Sequence, residues 1–214
     1  MKKKITVIVF TVLAICTLNV KAQEESKWST GVDVYSSYVW RGAKFGSGPA
    51  MQPGVKYSNG GFTVGAWGSY CFSTNEAMEA DLYASYGVSL GESSSLTFTV
   101  TDYYFPTAAY FDGDSHYFEP MIGLGLGKLS LSAAYMTNAD DTYLEAGYNA
   151  GAITLFAGAG NGQYTKDATF NLCNVGIKSS KTIKISDSFS IPVSGSVILN
   201  PSTEQFHIVV GFSL

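Results

Sequence analysis

MEADLYASYGVSLGESSSLTFTVTDYY, residues Met78 to Tyr104, alternates apolar and polar residues on both sides of a turn. Turn residues occupy Gly91–Ser94, and the alternation then resumes. A period of two gives a strand one apolar and one polar face. The apolar members are Met78, Ala80, Leu82, Ala84, Tyr86, Val88 and Leu90, then Leu96, Phe98 and Val100. Because a membrane-spanning strand needs about 9–11 tilted residues, the stretch predicts a membrane-spanning β-hairpin.

The beginning of the chain has the pattern of a secretory signal peptide. Lys2, Lys3 and Lys4 precede the apolar run Ile5–Val20, and the small residue Ala22 follows. The run is shorter than the roughly 20 residues that a transmembrane helix needs. We therefore predict a signal peptide over residues 1–22 and a single β-barrel domain over residues 23–214.

Composition limits the classes of partner. Charged residues make up 14% of the chain, against about 25% in an ordinary soluble domain. The net charge is −4 and becomes more negative without the lysines of residues 1–22, which argues against nucleic acid as a partner. Cys71 and Cys173 are predicted to be buried free thiols; a disulfide between them is the alternative and would need an infolded loop.

The alternation continues through the rest of the chain and predicts twelve strands, with short turns at one end and longer loops at the other. Ser179–Ser188 is left open between a strand fragment and a long turn. Besides the two strands of the opening stretch, the predicted strands are Trp28–Arg41, Gln52–Ser58, Phe62–Tyr70, Tyr117–Leu126, Leu129–Met136, Thr142–Asn149, Ala152–Ala159, Ala168–Lys178, Phe189–Leu199 and Gln205–Leu214.

Closure of the sheet follows from the membrane environment. An unpaired backbone group in hydrocarbon costs several kcal/mol, so the first and last strands must pair. We predict an all-β fold, a closed antiparallel up-and-down transmembrane β-barrel of about 12 strands. It would lie in the outer membrane of a Gram-negative bacterium, in contact with outer-membrane lipids and lipopolysaccharide. A soluble barrel with an apolar interior is the alternative, but the polar face is built from Gly, Ser and Thr rather than Lys and Glu.

Three segments carry a family resemblance: YVWRG (Tyr38–Gly42), PAMQPGVKYS (Pro49–Ser58) and GAWGS (Gly65–Ser69). They resemble the start of the Gcw family of conserved hypothetical bacterial outer-membrane proteins, over about the first third of the mature chain. The final strand also resembles the assembly signal of outer-membrane barrels, with Leu214 in place of the usual aromatic residue. The resemblance implies a barrel of unassigned function and supplies no catalytic residues.

The parity of the strands places a set of polar and aromatic side chains inside the barrel. The candidate lumen and selectivity residues are Arg41, Glu79, Asp81, Glu119, Glu145 and His207, the lumen aromatics include Tyr83, Tyr103, Tyr117 and Tyr143, and Lys56 and Lys178 lie near the other end. One hypothesis is a narrow porin-like channel whose acidic mouth favours cations or polyhydroxylated small solutes. The alternative is a plugged structural or adhesion barrel, in which internal ion pairs fill the lumen.

A lipid-modifying enzyme is a less favoured alternative. His116 is followed by Tyr117 and Phe118, and His207 by Ile208 and Val209, so neither is followed by a serine that could act as a nucleophile. A serine on an adjacent strand is left open, because triads are defined by geometry. The sequence predicts no enzyme and no catalytic residues. No metal or cofactor is predicted either. On the outward face, the strands carry aromatic residues that predict girdles at the two membrane interfaces. These residues are Trp28, Tyr38, Trp40, Tyr70, Tyr86, Tyr104, Tyr135 and Tyr148.

Overall fold

The computed structural model describes residues 27–106 and 109–214 and consists almost entirely of β-strands. The predicted signal peptide, residues 1–22, lies outside the described residues. The strands are β1 Lys27–Tyr35, β2 Tyr38–Trp40, β3 Ala43–Phe45, β4 Ala50–Asn59, β5 Phe62–Cys71, β6 Glu76–Ser89, β7 Ser94–Tyr104, β8 His116–Leu126, β9 Leu129–Met136, β10 Asp141–Asn149, β11 Thr154–Gly162, β12 Ala168–Lys184, β13 Ser190–Asn200 and β14 Gln205–Ser213. A 3₁₀ turn, Gly113–Ser115, precedes β8. Within the described part of the chain, no helix is long and apolar enough to cross a membrane.

Twelve of these strands form a closed antiparallel barrel in which each strand pairs with the next along the chain. The remaining two, β2 and β3, pair only with each other. The predicted fold class and strand number are therefore confirmed.

The wall of the barrel has aliphatic side chains on its outer face and buried carboxylates on its inner face. On the wall, Leu82 is 50% exposed and Val100 is 52% exposed. On the opposite face, Glu79 is 3% exposed and Glu119 is 2% exposed. This distribution is the reverse of that in a soluble barrel with an apolar interior.

The barrel closes where β1 meets β14, as predicted for the first and last strands. Asp33, Val34 and Tyr35 pair with Ser213, Phe212 and Gly211. Backbone hydrogen bonds of 3.0 and 2.9 Å between Val32 and Leu214 extend this seam. On its other side, β1 pairs with β4 along its whole length. Within the described part of the chain, residues 28–31 of β1 pair with β4 and have no paired residue in β14.

The connections divide between the two ends of the barrel. One end, here called the short-turn end, carries tight turns such as Gly60–Gly61 and Gly127–Lys128. The Ser179–Ser188 segment fits this pattern, because β12 continues to Lys184. The turn Ile185–Phe189 follows, with the Phe189 carbonyl accepting two backbone hydrogen bonds of 3.0 Å. The longer connections lie at the opposite end, the long-loop end.

The first predicted strand, Trp28–Arg41, is wrong in its second half. β1 ends at Tyr35, and after two serines the chain forms the hairpin of β2 and β3, residues Tyr38–Phe45. We call this the inner hairpin. It lies within the barrel at the long-loop end, where Tyr38 is 8% exposed and its ring packs 5.6 Å from that of Trp67 on β5.

Tyr38 and Trp40 therefore do not belong to an outward aromatic girdle. The Trp40 ring lies 5.4 Å from Tyr103 of β7 and 5.5 Å from Tyr164. Both residues continue the alternation of β1 in the sequence, but Ser36 and Ser37 interrupt the strand. An aromatic side chain can pack in an aromatic interior as well as in lipid, so the alternation alone predicted the wrong side of the barrel wall for Tyr38 and Trp40.

Candidate functional site

The turn of the inner hairpin is fitted closely to the barrel wall. Arg41 and Gly42 have φ values of 51° and 83°, which is the pattern of a type I′ hairpin turn. A Cβ atom on Gly42 would lie 2.0 Å from the carbonyl oxygen of Cys173. Asn200 donates from Nδ2 to the carbonyls of Gly42 at 3.4 Å and Tyr164 at 3.1 Å. No residue with a side chain could replace Gly42 without moving the hairpin.

Arg41 forms the central ion pair of the bore. Its Nη1 and Nη2 donate to Glu119 Oε2 at 2.5 Å and Oε1 at 2.8 Å, a bidentate arrangement. Nη1 also donates to the Tyr164 hydroxyl at 2.7 Å, and Tyr103 donates to Glu119 at 3.1 Å. The side chains of Arg41 and Glu119 are 9% and 2% exposed. The pair thus joins the hairpin to β8 away from water.

Aromatic rings surround the Arg41 guanidinium. Its central carbon lies 4.4 Å from the ring centres of Trp40 and Tyr143 and 5.5 Å from that of Tyr164. Tyr164, in the loop after β11, is fully buried, and burial raises its pKa to about 12. It packs with Ala134, Tyr143 and Cys173 in one hydrophobic cluster. Cation–π contacts of this kind stabilise a desolvated guanidinium.

Glu79 and Asp81 lie on the inward face of β6, under the other side of the hairpin. Tyr38 donates a hydrogen bond of 2.9 Å to Glu79 Oε2. Asp81 is 8% exposed, and its Oδ1 is buried with no hydrogen-bond partner. No lysine or arginine lies within ion-pair distance of either carboxylate among the residues described. These two acids therefore differ from Glu119, which has a cationic partner.

The other predicted lumen residues occupy separate positions. Glu145 accepts from Tyr143 at 2.5 Å and from Asn174 at 3.0 Å. His207 Nε2 is buried without a partner. Tyr117 packs 5.7 Å from Phe105, close to the long-loop end. Within the predicted set, Arg41 and Glu119 thus contact each other directly, and Glu145 is linked to Arg41 through Tyr143, whose ring lies 4.4 Å from the guanidinium.

A cavity of about 490 Å³ lies beneath the inner hairpin. Tyr38 and Trp40 contribute to its lining from the hairpin, and Asp81 does so from the wall. Lys56, which is near the short-turn end, also lines it. Other lining residues are Asp33, Gln52, Trp67, Tyr83, Thr101 and Tyr103. Lys178 is not part of this lining; its Nζ lies 5.9 Å from the Phe156 ring.

Sequence reasoning missed Tyr164, Asn174 and Asn200, which hold the hairpin and its neighbours. Tyr164 lies between the predicted strands Ala152–Ala159 and Ala168–Lys178, where the alternation of strand residues gives no signal. Cys71 and Cys173 are free and buried. Cys173 is the extra residue of a bulge, since Leu172 and Asn174 pair with adjacent residues of β11. In the described ranges, no group of three or more His, Cys, Asp or Glu side chains could hold a metal ion.

His116 forms an ion pair with Asp102, with Nδ1 2.8 Å from Oδ1. Its Nε2 contacts the carbonyl of Tyr110. Both ring nitrogens are therefore engaged by acceptor oxygens rather than by a serine hydroxyl. This arrangement differs from a catalytic triad, in which one ring nitrogen faces the nucleophile.

A family model described as "Bacterial protein of unknown function (Gcw_chp)" matches residues 20–191. No curated protein matches the chain.

Proposed function

The chain belongs to the Gcw_chp family of bacterial proteins of unknown function, and we propose that it is an outer-membrane barrel whose bore is closed at the extracellular end by the inner hairpin. The buried bidentate ion pair between Arg41 and Glu119 carries this proposal. It holds a loop segment inside the bore, at the end where a porin needs an entrance.

The outward face supports the membrane location. Ile122 and Leu144 are 41% and 44% exposed on neighbouring parts of the wall, and such a surface is stable in lipid rather than in water. In this orientation the long-loop end faces the outside of the cell, because outer-membrane barrels have short periplasmic turns. Phe111, 96% exposed in the β7–β8 connection, would then lie at the level of lipopolysaccharide.

The contacts of the hairpin support closure of the bore. Opening it would separate Arg41 from Glu119 and two aromatic rings from their neighbours. Removing one partner from a buried ion pair leaves an uncompensated buried charge and costs about 3–5 kcal/mol, so Glu119 favours the closed hairpin for as long as it is kept from water. A barrel with this hairpin in place conducts few ions.

A narrow porin-like channel is the second candidate, and the cavity beneath the hairpin favours it. The acidic side chains Glu79 and Asp81 would face a solute that passed the hairpin, and they would favour cations or polyhydroxylated molecules. In this version the hairpin is a gate rather than a permanent plug. The two candidates differ in one measurable property, the conductance of the unmodified protein.

Planar-bilayer recording tests the proposal. The unmodified barrel should show no steady conductance, and a variant with residues 37–47 replaced by a Gly-Ser linker of equal length should conduct steadily. Neighbouring Tyr35 and Ala50 are paired across adjacent strands, so the linker spans the gap easily. Replacing the exposed residues 110–114 with a similar linker is the control and should leave the barrel silent. Steady conductance of the unmodified protein would overturn the plug and favour the channel.

A further inference from the structure

We propose that the cavity beneath the inner hairpin is a binding site for a small organic cation, with Asp81 as its counter-ion and the surrounding aromatic rings as its walls. The inference rests on the proposed closure of the bore, because the hairpin residues Tyr38 and Trp40 form part of the cavity lining. Closure of the bore does not by itself require this cavity, and we assign to the cavity one class of ligand, small organic cations.

The cavity has the size and composition of a ligand site. Its volume of about 490 Å³ falls within the range of roughly 300–1,000 Å³ typical of small-molecule pockets. Five aromatic side chains line it, two from the hairpin and three from the wall: Tyr38, Trp40, Trp67, Tyr83 and Tyr103. Pockets of this composition recognise quaternary ammonium groups through cation–π contacts.

Asp81 supplies the charge that selects a cation. It lines the cavity, it is 8% exposed, and its Oδ1 is buried with no hydrogen-bond partner. A buried polar atom without a partner is costly, and a bound cation would remove that cost.

No cationic group near Asp81 neutralises it. Asp33 lines the same cavity and adds negative charge. Glu79, two residues away on the same face, is within side-chain hydrogen-bonding distance of Asp81, so the two carboxyls share a proton and act together as one negative charge. Lys56 is the cationic residue of the lining, but it is exposed and forms no ion pair among the described residues. Arg41 is already paired with Glu119. The local excess of negative charge therefore favours a cation over a neutral sugar.

Tryptophan fluorescence gives a direct binding assay. Of the chain's three tryptophans, Trp40 and Trp67 line the cavity, whereas Trp28 is 73% exposed on the outer face. In the Trp28→Phe background, the purified barrel in detergent would be titrated with choline. The matched neutral probe is 3,3-dimethylbutan-1-ol, which has the same shape without the charge, and glucose serves as the sugar probe.

We expect a saturable fluorescence change with choline and none with the alcohol or glucose. Asp81→Asn should weaken choline binding by about tenfold or more, since it removes the Coulombic attraction between a buried carboxylate and the trimethylammonium group, which has no N–H to donate. Asp114→Asn, the same change on an exposed turn, should leave it unaltered. Equal responses to choline and the alcohol, a response to glucose alone, or unchanged binding in Asp81→Asn would overturn the site. Heat-modifiable migration on a gel checks that each variant is folded.

The two proposals fail in different ways. If the unmodified barrel conducts steadily and still binds choline, the plug is wrong and the site stands. If the barrel is silent and choline does not bind, the site is wrong and the plug stands.

Discussion

Replacing Glu119 with glutamine should release the inner hairpin and expose Cys173. The Cys173 side chain is fully buried in the cluster that contains Tyr143 and Tyr164. The backbone of Gly42, at the tip of the hairpin, lies against the Cys173 carbonyl. A thiol reagent in the bore can therefore reach Cys173 only after the hairpin has moved, and the labelling rate reports how often this happens.

The size of the effect follows from the burial of the pair. Arg41 and Glu119 are 9% and 2% exposed, and removing one partner of such a pair costs about 3–5 kcal/mol. Glutamine retains a neutral acceptor for the guanidinium, so we take the lower value of about 3 kcal/mol. Because each 1.4 kcal/mol is about tenfold in an equilibrium constant, the open population should rise by about 100-fold.

The assay measures the rate of modification by a water-soluble maleimide in the Cys71→Ser background, which leaves Cys173 as the thiol of residues 23–214. Glu92→Gln, on an exposed turn, is the matched control and should label at the parent rate. The double variant Arg41→Met with Glu119→Leu removes both charges and should label more slowly than Glu119→Gln alone. Equal rates in Glu119→Gln and its parent, with the barrel intact, would refute the role of the ion pair.

Two further changes test the wall and the hairpin turn. Leu82→Lys should lower the free energy of unfolding in lipid by about 2–4 kcal/mol if this side chain faces the membrane interior, while Leu82→Met should be nearly neutral; denaturant titration in vesicles measures both, and a neutral lysine would show that the face does not contact lipid. Gly42→Ala should raise the Cys173 labelling rate by about tenfold, because alanine is strained at positive φ and its Cβ would meet the Cys173 carbonyl. Gly113→Ala, where a Cβ meets nothing within 4 Å, is the control for that change, and a labelling rate for Gly42→Ala no higher than the control's would contradict the close fit.

The barrel wall could be predicted because the alternation of residues that specifies it lies within each strand. A lipid-facing strand needs an apolar residue at every second position, and Leu82, Val100 and Ile122 follow that rule in the sequence and in their exposure. Closure of the sheet could be predicted without any further sequence pattern, because a strand edge left unpaired in hydrocarbon is too costly. The inward placement of Glu79 and Asp81 follows from parity in the same way.

The interior could not be predicted to the same extent, because its contacts join distant residues. Arg41 and Glu119 are 78 positions apart, and Asn200 reaches Gly42 across 158. No local pattern encodes such partners. Trp40 shows the limit most clearly, because an aromatic residue is equally suited to a membrane interface and to an aromatic cluster around a guanidinium.

Because the seam between β1 and β14 is short, the number of backbone hydrogen bonds between neighbouring strands varies around the barrel. Three residues of β1 pair with β14, and Val32 and Ser36 add backbone hydrogen bonds to Leu214 and Val210, whereas nine residues of β1 pair with β4. Separating β1 from β14 breaks fewer backbone hydrogen bonds than separating β1 from β4. We therefore expect unfolding of the barrel by heat or force to begin at this seam. The inner hairpin follows β1 directly, so loosening of the wall at this point reaches the inner hairpin first.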